Sequence, residues 1–217
     1  MIKPRPKTTT SQDELVFNVI IEYLDDNRTF KLNDIIPFIS SRFSKSSTNI
    51  NLDGIKKSLN TLLKKRLIVE GSKLTKDTVL DNQNRLILFN FIKDNPGYYF
   101  NSIVNSVNIS KYVVYFHLQI LVKFDMIKMT KIENHDIYFD LSIDNDKVKP
   151  IYFASKKKSN KILSYLKNDN IGHTKTQISN DLNMHLNTIT KYLEILEKCG
   201  YIYKEKISGK VLYFIEE

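Results

Sequence analysis

Cysteine is nearly absent: one residue, Cys199, stands in 217. That excludes a disulfide framework and any cysteine-built metal cage. Glycine is scarce at six residues, and neither GxGxxG nor GxxxxGKS/T occurs, which argues against a nucleotide-binding enzyme. No run approaches the ~18 consecutive apolar residues that span a bilayer. The basic start, MIKPRPKTTTSQDE, has no apolar core behind it and does not read as a signal peptide. No Ser-His-Asp or Cys-His arrangement has a recognisable context, so catalysis is not expected. What is present fits a soluble globular protein, with 41% hydrophobic and 26% charged residues. The length suits one large domain or two to three small ones.

The net charge is +9, from 33 basic and 24 acidic residues. It is uneven. Residues 1–80 hold 14 basic and 9 acidic, residues 81–150 hold 8 of each, and residues 151–217 hold 11 and 7. An anionic partner is favoured, nucleic acid before membrane, met through the first and last thirds.

An internal repeat organises the chain. Shifted by 75, residues 85–140 lie over 160–215 without a gap, with 17 identities in 56 positions. Ile87-Leu88 meets Ile162-Leu163, Gly97 meets Gly172, and Leu118-x-Ile120-Leu121-x-Lys123 meets Leu193-x-Ile195-Leu196-x-Lys198. Each copy reads as a helix, a short second helix near 100–107 or 175–182, a tight turn, and a third helix with an inner stripe. The stripe is Val114, Leu118, Leu121 in one copy and Ile189, Leu193, Leu196 in the other. Two alternating runs close each copy as a hairpin: Ile127–Ile132 with Ile137–Phe139, and Ile202–Ile207 with Val211–Phe214. This is a helix-turn-helix with a wing, whose third helix keeps its outer face free for a groove.

Residues 12–75 read as a third, divergent unit. Its first helix is Asp13–Asp26, with Leu15, Val16, Val19, Ile20 and Leu24 inside. Asn33 is expected to cap the second, with Pro37 near its first turn. Ile55, Leu59 and Leu62 match Val114, Leu118 and Leu121 at an offset of 59, on a third helix from Asp53 to Arg66. A polar loop, Ser44–Asn51, replaces the turn, and the wing shrinks to Ile68–Leu74. The parse is therefore three domains: a divergent winged-helix-like domain at 1–80, a middle winged helix at 81–150, and a last one at 151–217. The fold class is mainly α with small β-wings, in tandem winged helix-turn-helix domains. Asp140–Ser159 reads as a linker or short connecting element.

The residues Asn95-Pro96-Gly97, Ile109-Ser110, Val113-Val114-Tyr115-Phe116-His117-Leu118, Leu121 and Met126-Ile127 resemble archaeal winged helix-turn-helix regulators of the ArsR/MarR-like kind. The last unit resembles the same class through Leu182-Asn183-Met184, Thr188–Leu193 and Gly200-Tyr201-Ile202. The resemblance covers residues 81–217 well and 1–80 weakly. It implies a DNA-binding transcription-factor fold, and the leading expectation is a cytoplasmic DNA-binding protein, a transcriptional regulator. Two departures stand out. Asp125 occupies a position where the family has glycine, which makes a positive-φ turn less comfortable there. His185 replaces the capping serine, Ser110, of the middle copy. The sequence stops at the wing, so tandem units are expected to stand in for dimerisation helices, with the first unit left open to pair chains as a homodimer.

Expected contacts follow from recognition-helix geometry. In the last unit they are His185, Leu186, Asn187, Thr188, Thr190 and Lys191. Asn187 is suited to bidentate pairing with adenine, Thr188 to a thymine methyl, and Lys191 to a phosphate. Lys204, Lys206 and Lys210 would serve from the wing. In the middle unit the outward residues are Ser110, Lys111, Tyr112, Val113, Tyr115, Phe116 and Gln119. Lys56, Lys57, Lys64, Lys65 and Arg66 make the densest basic surface of the first unit. Single surface lysines are more often simply solvated. Tyr112, Tyr115 and Phe116 suit a protein interface as well as DNA. His117 reads as a packing residue, His135 as a turn residue, and Cys199 as a partly buried thiol. No metal, cofactor or membrane partner is expected; the partner is double-stranded DNA, with other proteins admitted at the middle or N-terminal domain. Two rivals stand beside the regulator. One is a winged-helix protein–protein module of a transcription or membrane-remodelling assembly, and the other is an effector-sensing switch.

Overall fold

A computed structural model describes residues 10–46, 48–168 and 171–216. As expected, the chain is mainly helical with small antiparallel hairpins, in tandem winged helices. It divides into two compact units, residues up to 89 with 111–126, and residues 90–110 with 127 onward.

The first unit is built on α1 (Ser11–Asp26), α2 (Leu32–Lys45) and α3 (Leu52–Lys64). Thr10 and Asp13 close a reciprocal capping box on α1, at 3.2 and 3.1 Å. Val16, Ile20 and Leu24 of α1 bury against Ile35, Ile39 and Phe43 of α2 and Ile55, Leu59 and Leu62 of α3. Each such side chain contributes roughly 1.5–3 kcal/mol on burial. Leu15, expected inside, is exposed. The periodicity placed it one step off the stripe that the other four share.

Two further expectations fail at α2. Asn33 does not cap it; the helix begins at Leu32, and the Leu32 N–H donates to Glu70 Oε1 at 2.9 Å. A side chain 38 residues away replaces the local cap. Pro37 is the sixth residue of α2 rather than part of its first turn. It lacks an N–H, so the Asn33 carbonyl loses its helical donor, while Ile35 and Ile39 hold the surrounding turns in the core. Asn51 caps α3, accepting from the Gly54 N–H at 2.9 Å. The wing of this unit is a single bridge, Ile68 with Thr75. The start of α4 (Gln83–Asp94) and α6 (Lys111–Lys123) complete the unit. In α4 Leu88 is fully buried, whereas Ile87 is exposed.

The second unit holds β1 (Tyr98–Tyr99), α5 (Phe100–Ser106), and the hairpin β2 (Ile127–Ile132) with β3 (His135–Asp140). The strands order β1-β3-β2, with Tyr98 opposite Tyr138 and Ile132 opposite His135. The hairpin turns on Glu133 and Asn134 alone, both at positive φ (49° and 65°). The second hairpin, β4 (Ile202–Ile207) with β5 (Lys210–Ile215), turns on Ser208 and Gly209 the same way. Two consecutive left-handed residues match the twist of flanking strands.

Of the two readings for residues 140–159, a linker or a short connecting element, the structure shows the second, as a packed helix. α7 (Val148–Ser155) buries Val148 and Tyr152 against Ile132, Ile137 and Phe139 of the middle hairpin. Gly97, at φ 89°, admits it: a Cβ there would meet Ile151 Cγ2 at 3.1 Å. Ser155 Oγ donates to the Gly97 carbonyl at 3.2 Å. Then come α8 (Lys157–Lys167), α9 (Lys175–Asp181) and α10 (Leu186–Lys198). Ile162, Leu166, Ile178, Ile189, Leu193, Leu196, Ile202 and Tyr213 form their core. Thr174 and Gln177 make a reciprocal capping box at α9.

All three third helices end alike. The N–H groups of Leu67, Met126 and Tyr201 return to the carbonyls of Leu62, Leu121 and Leu196 at 3.0, 2.9 and 3.0 Å. The residues just before them, Arg66, Asp125 and Gly200, have φ of 54°, 47° and 72°. This is a Schellman ending, which favours glycine at the left-handed position. Asp125 accordingly holds a conformation that its side chain opposes. Its ion pair with Arg66, at 3.9 Å between exposed groups, offsets little. Asp125→Gly is expected to stabilise the chain by about 0.5–1 kcal/mol, and Gly200→Ala to destabilise it by about 1 kcal/mol. Urea midpoints of the two variants check both signs.

Candidate nucleic-acid interface

The turn into α10 is locked locally. Asn183 takes φ 49°. Ser179 Oγ donates to the Met184 carbonyl at 2.6 Å, and the Met184 N–H returns to the Ser179 carbonyl at 3.0 Å. His185 then caps the helix, its Nδ1 accepting from the Asn187 N–H at 3.2 Å. The imidazole thus does the work that serine does in the resembled family.

The inner stripe Ile189, Leu193 and Leu196 is fully buried, which fixes the rotation of α10. Asn187, Lys191, Glu194 and Lys198 fall on its exposed side, and Thr188 and Thr190 are half-buried. The Asn187 amide makes no hydrogen bond among the described residues. One flank of α10 lies along α7 and α8, so the helix is not exposed all round. Lys191 also acts electrostatically on Glu133 in the middle hairpin.

The hairpin sorts its lysines by strand register. Lys204 and Lys206 face with Tyr213 and Val211, whereas Lys210 pairs with Ile207 and shares the opposite face. Lys204 Nζ sits 2.9 Å from Glu197 of α10, so its charge is compensated within the module. Lys206 and Lys210 are exposed.

In the first unit Lys56, Lys57 and Lys64 occupy exposed positions on α3, and Lys65 and Arg66 follow at its end. Arg66 reaches Asp125 at 3.9 Å, and Lys65 acts on Asp13. On α6 the exposed face carries rings: Tyr112 is 88% exposed, Tyr115 56% and Phe116 59%. Ser110 and Lys111 are exposed at its start. The expected contacts therefore fall into three groups: a basic stripe on α3, an aromatic face on α6, and a mixed polar and basic face on α10 with its hairpin. Sequence reasoning missed the Lys156–Lys161 cluster as a local surface. Its run of lysines was visible, and so was the first helix of the last copy, but not that this helix begins at Lys157 and carries the lysines in its opening turns.

The remaining candidates do not form a reactive centre. Burial pushes the Cys199 thiol above its ordinary range, which weakens it as a redox group. Among the described residues no group of three or more His, Cys, Asp and Glu is placed to hold a metal ion. No helix among them is long and apolar enough to cross a membrane.

No protein-family model matches the chain. It is similar to an uncharacterized HTH-type transcriptional regulator of Methanocaldococcus jannaschii, at 28% identity over 144 residues, or 66% of this chain. The match spans only 36% of that protein's length. Among solved structures, a chain of the endosomal complex ESCRT-II aligns over 97% of both chains at 12% identity and a TM-score of 0.26. A second ESCRT-II structure aligns over 94% of this chain and 87% of its own, at 11% identity and the same TM-score. Scores that low carry no argument about activity or partners.

His117 on α6 supplies a test of the packing. It is 7% exposed, and its Nδ1 has no partner among the described residues. Burial, then the Arg85 charge, depresses its pKa below the ordinary 6.5. The unfolded chain thus binds the proton more readily, so stability is full above pH 6.5 and falls as pH drops below it. His117→Leu is expected to flatten that fall between neutral and mildly acid pH in urea titrations. An unchanged pH profile would place the titrating group elsewhere.

Proposed function

We propose that this chain is a DNA-binding transcriptional regulator built of three winged-helix modules, divided at about residues 80 and 150. The exposed turn of α10 at Asn187 and Lys191 carries the reading, because a free amide and a cation stand one helical turn apart beside a basic hairpin. Similarity to a protein named as an HTH-type regulator supports it, as does the net charge of +9.

In this reading α10 enters a major groove. Asn187 pairs with adenine, while Thr188 and Thr190 contact the groove wall and His185 holds the helix start. Lys191, Lys206 and Lys210 neutralise phosphates. Lys204, held by Glu197, positions the hairpin more than it contacts DNA. The α3 stripe of Lys56, Lys57 and Lys64, with Lys65 and Arg66, adds a second anionic contact. A second reading concerns α6 alone. Its exposed Tyr112, Tyr115 and Phe116 suit a protein partner, since a face of rings offers a duplex little charge.

Duplex binding measured across salt is expected to show log K falling against log salt with a slope of about −5, for five to six neutralised phosphates. Asn187→Ala should cost roughly 1–3 kcal/mol on a selected site and little on random DNA. Lys191→Glu with Lys206→Glu should abolish binding to both. A flat salt response, or loss of function only in Tyr115→Ala, would favour the protein-interface reading.

A further inference from the structure

Within the second unit a cavity of about 780 Å³ opens among β1, the middle hairpin turn, α7 and the start of α8. That volume falls in the range of small-molecule sites, ~300–1,000 Å³. Two chemistries line it. Lys156, Lys157, Lys158 and Lys161 supply cations from the beginning of α8. Tyr99, His135 and Tyr192 supply rings.

Glu133 is the one acid in the lining, and it is already engaged. Lys156 Nζ lies 2.5 Å from its Oε2, and the Tyr152 hydroxyl donates to the same oxygen at 3.2 Å. No carboxylate among the described residues pairs with Lys157, Lys158 or Lys161, all of which are exposed. Their charge is uncompensated at one wall of the cavity. The α8 helix also starts with no side-chain cap, so its positive end adds to the same corner. At another wall the Tyr99 and His135 rings lie 5.2 Å apart at 39°, and both are exposed. Together they make a surface on which a flat ring can stack.

We propose that this cavity binds a nucleotide, with its base on the Tyr99–His135 surface and its phosphates on Lys157, Lys158 and Lys161. The chain has no glycine-rich phosphate loop, and lysine side chains take that role here. Asn187 at the start of α10 is not part of the lining, so the site stands or falls without the base contact of the DNA reading, although Lys191 acts on its Glu133. Tyr192 of α10 lines the same cavity, which brings the bound molecule against that helix. The same chemistry admits two sources, a free nucleotide and an unpaired nucleotide of a DNA strand.

Calorimetry on the full chain with ATP, with inorganic tripolyphosphate and with oligothymidylate separates them. ATP is expected to saturate one site, with tripolyphosphate at least about ten-fold weaker because base stacking is lost. Lys157→Glu with Lys158→Glu should weaken ATP by about ten-fold or more. Tyr99→Ala should weaken ATP similarly, while Tyr99→Phe keeps the ring and keeps binding. Asn187→Ala should leave ATP unchanged even where it weakens duplex DNA. Oligothymidylate binding tighter than ATP, with the same lysine dependence, assigns the site to an unpaired strand. Absence of ATP and oligothymidylate binding at millimolar concentration, insensitivity to the lysine variant, or equal affinity for tripolyphosphate overturns the proposal.

Discussion

A helix can offer its outer face to a partner only if its inner face and both ends are fixed. In this chain the ends do most of that work. Each third helix stops by returning an N–H to the carbonyl five residues back, across a left-handed residue. The orphan carbonyls of the last turn are satisfied there, and the chain is turned at once into the wing or its remnant. In α10 the beginning is fixed as well, by a histidine ring accepting from the second residue of the helix. With rotation set by Ile189, Leu193 and Leu196, the exposed positions follow without further freedom.

Charge is distributed with some economy. Lys204 and Lys156 are both lysines of the basic last third, yet each is paired inside the fold, with Glu197 and Glu133. The carboxyl of Glu133 is held below its ordinary range first by the hydrogen bond from Lys156. The excess of cations over anions is therefore not spread evenly over every lysine. Lysines with no paired carboxylate among the described residues include Lys56, Lys57 and Lys64 on α3, Lys191, Lys206 and Lys210, and Lys157, Lys158 and Lys161 at the opening of α8.

Much of this was legible in the sequence because repetition is a periodic signal. The offset of 75 set the hairpins and the inner stripes. The offset of 59 aligned α3 with α6, and it also aligned Arg66 with Asp125. What was not legible depended on contacts between distant residues. Nothing local at Lys31 or Asn33 reveals that Glu70 caps α2. The helix α7 was legible only as one of two readings, a connecting element beside a linker, because it has only two buried anchors, Val148 and Tyr152, set between a polar run and a lysine run. Leu15 was assigned inward with Val16, Val19, Ile20 and Leu24, and their stripe left it outside. The aromatic face of α6 was read directly, since Tyr112, Tyr115 and Phe116 lie off the Val114, Leu118, Leu121 stripe.

The packed α7 has a mechanical meaning. It is eight residues long, or roughly 12 Å at helical rise, and it rests on the middle hairpin at one side and along α10 at another. A string between two grips lets each search for its own footing. A strut does not. The middle hairpin and α10 are therefore joined through packed side chains, and a shift of one is passed to the other through α7 rather than absorbed by slack.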